Sequence, residues 1–191
     1  MARPASDKRE RLTVAAVRLA TTRGLAGTTL GALAEEAGVP SGSVYYYFKT
    51  REDVGSAVVE ALHARQRDLM ASWEAEEDPR ARLAACITHH VATADDLQAH
   101  GSPVAAVCAE LRRSGDPLAT DAADIIATLV SWVAAQFAAM GFGPEAARAR
   151  ATHLVTGLEG AATLAHALDD PAPLEREAAH LGRWIAQTRS P

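Results

Sequence analysis

Outside one short stretch this chain of 191 residues has no tyrosine: all three stand together in SVYYYFK, residues 43–49. Cysteine is scarcer still. Cys86 and Cys108 form no C-x-x-C pair and have no histidine at ligand spacing, so neither a disulfide scaffold nor a metal site is expected. The N-terminal residues hold no apolar run of the kind that heads a secreted chain, which points to a reduced cytoplasm. Aromatics are only 5%, period-two alternation of β-branched residues is rare and alanine abounds, so helix is favoured over strand along nearly the whole length.

One uncharged stretch, residues 125–144 (IIATLVSWVAAQFAAMGFGP), is long enough to cross a bilayer. Ser131 and Gln136 inside it, and acidic flanks (Asp121, Asp124, Glu145) without a Lys/Arg belt, count against insertion. It is expected to be the central helix of a bundle, covered by its neighbours, with no membrane partner.

The net charge of -5 conceals an asymmetry. Residues 1–25 carry Arg3, Lys8, Arg9, Arg11, Arg18 and Arg23 against Asp7 and Glu10, a net +4 that leaves -9 for the rest. A basic end on an acidic body suits contact with a polyanion; a solvated charged helix is the plainer reading.

Helix punctuation is legible. Ser6 caps a helix over Asp7–Arg23 with Leu12, Ala15, Ala16 and Leu19 on one face and Gly24 as its stop. Thr28 caps a second, ended by Gly38, and Pro40 falls in the first turn of a third. Thr50 and Asp53 form a capping box at the start of a long helix reaching about Glu76. Further helices run from Asp78-Pro79 to Gly101, from Pro103 to about Arg113, from Asp116-Pro117 through the uncharged stretch, from Gly143-Pro144 to about Leu168, and from the DDPAP turn to about Gln187. The chain therefore reads as all-α with nine helices: a three-helix helix-turn-helix domain in residues 1–50 and a six-helix bundle in residues 51–191.

A helix-turn-helix lays its second helix in the major groove of DNA. Within that helix Val44 and Phe48 are one turn apart and point inward, leaving Gly42, Ser43 and Tyr46 outward with Tyr45 and Tyr47 on the flanks. Glycine allows close approach, Ser43 can bond a base edge, and a tyrosine offers a ring to a thymine methyl and a hydroxyl to a phosphate. Lys49 and Arg51 follow as counter-charges, and the second helix, capped by Thr28, offers N–H groups to another phosphate. Core packing is the competing reading for one or two of the rings.

At these residues the chain resembles the TetR family of bacterial transcriptional regulators. The match is continuous through LATTRGLAGTTLGALAEEAGVPSGSVYYYFKTREDV. The resemblance implies a cytoplasmic, nucleoid-associated homodimer that grips a palindromic operator on double-stranded DNA as a repressor and releases it when a small-molecule effector fills the C-terminal domain. By position it implies that Ser41, Gly42, Ser43 and Tyr45 face bases while Thr28, Thr29, Tyr46, Tyr47, Lys49 and Arg51 hold the backbone. The stretch GSPVAAVCAEL (101–111) is similar to the branch typified by LmrA and YxaF, which respond to flavonoids and other planar apolar compounds, although Ser102 stands where that branch usually has cysteine.

Candidate pocket residues are Leu62, Gln66, Cys86, His90, Val107, Cys108, Leu111, Leu129, Trp132 and Phe137, inward positions on converging helices with a few polar atoms; ordinary packing is the alternative for each. A small-residue face on the last two helices suits a two-fold interface: Leu154, Gly157, Leu158, Gly160, Ala161, Ala165 and Leu168, with Leu181, Trp184 and Ile185. An all-helical enzyme using His89, His90, Glu110 or the cysteines, and a helical protein-binding adaptor, are the other classes. No nucleophile–base arrangement joins those residues, so no catalytic group and no cofactor is expected.

Overall fold

The computed structural model describes residues 5–189, with side chains from residue 7. Arg3, counted with the basic arm, and the Ser6 side chain, expected as a cap, lie outside the described residues. The described regular structure is all helix: α1 (Ala5–Gly27), α2 (Leu30–Ala37), α3 (Ser41–Tyr47), α4 (Arg51–Trp73), α5 (Pro79–Ala92), α6 (Ala94–His100), α7 (Pro103–Ser114), α8 (Ala119–Ala139), α9 (Pro144–Leu168) and α10 (Ala172–Gln187). These are ten segments among the described residues, and nine when α5 and α6, parted only by Thr93, are counted as one bent helix. The bend has a local cause. The Thr93 hydroxyl donates to His89 O at 3.0 Å and His90 O at 3.3 Å, and its backbone leaves the helical region at φ -107°, ψ 16°.

The chain divides into two compact units. One comprises residues up to Arg65 together with Pro103–Ala123; the other comprises Gln66–Ser102 and Asp124 onward. The first holds α1–α3, most of α4, α7 and the start of α8. Its core joins Leu12, Ala16 and Leu19 of α1, Leu33 of α2, and Val44 and Phe48 beside α3, all buried. Each of these leucine, valine and phenylalanine side chains contributes about 1.5–3 kcal/mol by leaving water. Arg11 ties α1 to the end of α2 by donating to the carbonyls of Ala37 and Gly38, and Arg18 pairs with Glu36 at 3.1 Å. Part of the basic excess of the N-terminal segment is thus engaged inside the domain.

The second unit holds α5, α6, α9, α10 and most of α8. Its core gathers Leu83, Cys86 and Ile87 of α5, Leu129, Val133 and Phe137 of α8, Leu154 and Leu158 of α9, and Leu181 and Ile185 of α10. Phe137 stands 6.0 Å from Phe142 and 5.6 Å from Trp184, ring centre to ring centre. Helix α8 is long and apolar enough to span a membrane, but only one side of it is buried. Its other side shows Ala127, Thr128, Ser131, Ala135 and Ala138 to solvent, so the expectation of a helix covered all round is corrected. Small uncharged residues made that stretch look uniformly apolar.

Six of the residues expected at a subunit interface are core residues of the single chain. Leu154, Leu158, Ala161 and Ala165 of α9, with Leu181 and Ile185 of α10, are buried within the single chain. Gly157 belongs to the same seam: a Cβ there would lie 2.8 Å from Glu177 Oε1 and 3.2 Å from Leu181 Cδ1. Small residues do bring two helices together here, but the helices are α9 and α10 of one subunit. The outward side of α9 carries Thr156, Gly160, Leu164 and Leu168 in one row, with Leu164 and Leu168 more than half exposed.

Candidate nucleic-acid interface

The first unit presents α3 by a short sequence of local constraints. Gly38 ends α2 in the left-handed conformation (φ 60°, ψ 43°), where its N–H satisfies the carbonyls of Ala34 and Glu35. Pro40 then leads into α3, and Phe48 N–H closes it on Val44 O at 2.8 Å. With Val44 and Phe48 fixed in the core, Ser41, Gly42, Tyr45 and Tyr46 are left exposed. Tyr46 is 79% exposed and Tyr45 60%. Tyr47 is half-buried and lies edge-on to Tyr46 at 5.0 Å, and Ser43 is also half-buried. No heavy atom would come within 4 Å of a Cβ at Gly42, so that surface is open.

Lys49 and Arg51 are exposed just past α3. Asp53 fixes the turn between them: its Oδ2 accepts from the N–H groups of Lys49 (2.8 Å) and Thr50 (3.0 Å), while Asp53 N–H donates to Thr50 Oγ1 (3.1 Å), which is the expected capping box. Glu52 beside it has its carboxyl lowered below the usual range by a hydrogen bond from its own backbone N–H and by Thr50.

At the start of α2 the cap lies one residue later than expected, at Thr29 rather than Thr28. Thr29 is the cap, accepting from Ala32 N–H at 3.1 Å, and it is exposed. Thr28 is only 2% exposed and its hydroxyl donates to Gly24 O at 2.9 Å. Thr28 is therefore corrected from a backbone-holding residue to a buried structural one, because Gly24 (φ 76°, ψ 161°) turns the chain so that position 28 faces the core.

The expected pocket residues divide between the units. Leu62, Val107 and Leu111 are buried in the first, where Cys108 Sγ donates to Ala122 O at 3.1 Å. In the second, Cys86 is fully buried, and burial, aided by the charge of Glu159, pushes its thiol up to about 12. His90 Nδ1 lies 2.9 Å from Cys86 O. Leu129 and Phe137 are core residues, and Trp132 Nε1 donates to Glu74 Oε1 at 2.9 Å. Gln66 Nε2 and Glu159 Oε2 are buried there without a hydrogen-bond partner. Sequence reasoning missed Glu159; its charge among small residues on α9 was the available signal. A separate open groove of about 530 Å³ runs along α5, lined by Glu76, Ala81, Ala84, Ala85, Thr88, His89 and Ala92, and includes none of the expected pocket residues. Of the residues considered for an enzyme, His89 packs its ring 5.9 Å from Trp73, and Glu110 accepts from two backbone N–H groups.

An all-helical chain with an exposed aromatic helix set in a helix-turn-helix has the form of a DNA-binding transcriptional regulator. The family model for bacterial regulatory proteins, tetR family, matches residues 12–58, and that for the transcriptional regulator LmrA/YxaF-like C-terminal domain matches residues 79–180. The chain belongs to the TetR family of regulators, in its LmrA/YxaF-like branch. Among curated relatives, it is 34% identical over 74 residues to the HTH-type transcriptional regulator TtgR of Pseudomonas putida, a match covering 39% of this chain and only 35% of that protein. It is 31% identical over 117 residues to the HTH-type transcriptional regulator LmrA of Bacillus subtilis (strain 168), covering 59% and 61%. A TetR transcriptional regulator of Chloroflexus aurantiacus J-10-FL has the same fold, with a TM-score of 0.80 at 23% identity over 96% of each chain.

Proposed function

We propose that this protein is a cytoplasmic repressor that binds a palindromic operator as a homodimer and is released by a small, planar and apolar effector. Residues 1–50 form its DNA-reading domain and residues 51–191 its effector-binding and dimerisation domain. The observation that carries this reading is the exposed face of α3: Ser41, Gly42, Tyr45 and Tyr46, followed by the exposed cations Lys49 and Arg51. Tyr45 and Gly42 meet base edges; Tyr46, Lys49, Arg51 and Thr29 meet phosphates. A second subunit joins through the row Thr156, Gly160, Leu164 and Leu168 on α9, and operator binding requires the two copies of α3 to lie about 34–36 Å apart, one turn of the duplex.

Effector release follows if the ligand favours a subunit arrangement with a different spacing, with a coupling of about 1–3 kcal/mol. Gln66 Nε2 and Glu159 Oε2 support such a ligand, since each buried polar atom without a partner costs about 1–3 kcal/mol that a bound group can remove. Selection of bound duplexes from a random pool, followed by screening of planar aromatic compounds for release, tests the proposal. Enrichment of an inverted repeat, with release by at least one compound class, is expected. Recovery of no sequence above background at low salt would refute it.

A further inference from the structure

Glu110, on α7, places one carboxylate oxygen on each of two successive backbone N–H groups near the end of α1. Leu25 N–H donates to Oε2 at 2.7 Å and Ala26 N–H to Oε1 at 2.6 Å. These donors are free because Gly24 interrupts the helix, and the residues after it start a new turn with unmet N–H groups. The fit is close on the glycine side as well. A Cβ at Gly24 would lie 2.8 Å from Glu110 Oε2, and its φ of 76° is one that L side chains rarely adopt.

From this clasp the hydrogen bonds continue to the edge of the DNA-reading motif. Thr28 N–H donates to Leu25 O (3.1 Å) and its hydroxyl to Gly24 O (2.9 Å); Thr29 N–H donates to Gly27 O (3.1 Å), and Thr29 in turn caps α2. An anionic group well outside the helix-turn-helix sequence thus grips the piece of backbone from which α2 starts.

We infer that Glu110 is a positioning residue for DNA binding, whose carboxylate sets the angle at which the N-terminus of α2 is offered to the phosphate backbone. Its two oxygens are taken by protein N–H groups, and it works through Leu25, Ala26 and the backbone N–H groups of Thr28 and Thr29, which no side-chain change at Thr28 removes. The inference rests on the regulator reading above, and it gives α7 a direct hold on the DNA-reading domain.

Glu110→Gln and Glu110→Asp test it, compared with the wild type on the duplex selected above. The glutamine keeps the length of the side chain but turns an NH2 toward one of the two donors; the aspartate keeps the charge and reaches one donor. In Glu110→Gln, amide exchange at Leu25 and Ala26 is expected to quicken and operator affinity to fall about tenfold, the loss of one charge-assisted hydrogen bond. The slope of log K against log salt should not change, because no phosphate contact is removed. Glu110→Asp should recover part of both losses. Wild-type exchange and affinity in Glu110→Gln would overturn the inference, as would an affinity loss that Glu110→Asp does not relieve. A wild-type protein that bound no duplex would overturn the regulator reading together with this one, so the two failures are told apart by the wild-type titration.

Discussion

The ring of Tyr46 stands at 83° to that of Tyr47, with centres 5.0 Å apart, so the more buried phenol props the more exposed one away from the domain. Replacing Tyr46 with Phe keeps both rings and removes one hydroxyl. Operator binding should weaken by roughly 0.5–3 kcal/mol, the range for hydrogen bonds up to those with a charged group, while the melting temperature holds. An anisotropy titration with an unchanged Kd would remove Tyr46 from the contact surface.

The neighbouring threonines should separate cleanly. Thr29→Ala deletes the α2 cap and an exposed hydroxyl, costing about 1 kcal/mol of stability and a further loss in DNA affinity. Thr28→Val deletes a buried hydroxyl bonded to Gly24 O, so it should lower stability by about 0.5–1.5 kcal/mol with affinity changed only in proportion. Urea denaturation beside operator titration reads both quantities, and an affinity loss confined to Thr28→Val would reverse the assignment.

Leu164 is 53% exposed on the outward row of α9. Leu164→Glu should therefore leave the folded subunit within about 0.5 kcal/mol of wild-type stability while it breaks the homodimer. Sedimentation at micromolar concentration should show dimer for the wild type and monomer for the variant. A variant that remained dimeric would move the interface elsewhere.

Burial holds the Cys86 thiol neutral until about 12, against an ordinary value of 9.0. The unfolded chain gives up this proton first, so the contribution of Cys86 to stability is constant below about pH 9 and falls as pH rises from there toward 12. Cys86→Ala should lower the urea midpoint at neutral pH through the space it leaves, yet show a shallower decline as pH rises from about 9 toward 12. Parallel declines in the two proteins would contradict the buried, neutral thiol.

Most helix limits were legible because their signals are local. Thr50 with Asp53, Gly38 after α2 and Pro144 at the head of α9 each settle a few φ/ψ values from neighbouring atoms. The break at Thr93 was not, since a threonine bonding back to His89 and His90 has no proline or glycine beside it to mark the bend. The shift of the α2 cap from Thr28 to Thr29 depends on a backbone turn at Gly24 that two adjacent hydroxyls cannot reveal. The apolar spacing of Leu154, Leu158, Ala161 and Ala165 correctly signalled close helix packing, but periodicity does not say which chain supplies the partner. Glu110 was invisible as a clasp because its partners lie 84 and 85 residues away. On α3, placing Val44 and Phe48 in the core correctly turned Gly42 and Tyr46 outward, but it also put Ser43 outward and Tyr45 on a flank, whereas Ser43 is half-buried and Tyr45 is 60% exposed, because a helix of seven residues leaves such angles loosely fixed.

Because every tyrosine of the chain lies in α3, uniform 3-fluorotyrosine labelling gives a fluorine spectrum with one signal each for Tyr45, Tyr46 and Tyr47. Titration with the selected duplex reads the recognition surface with no background from elsewhere in the molecule. The signals of Tyr45 and Tyr46 should shift and lose their solvent isotope effect in step with saturation, with Tyr47 responding less. Saturation by the duplex with all three signals unmoved and still open to solvent would mean that α3 does not meet DNA.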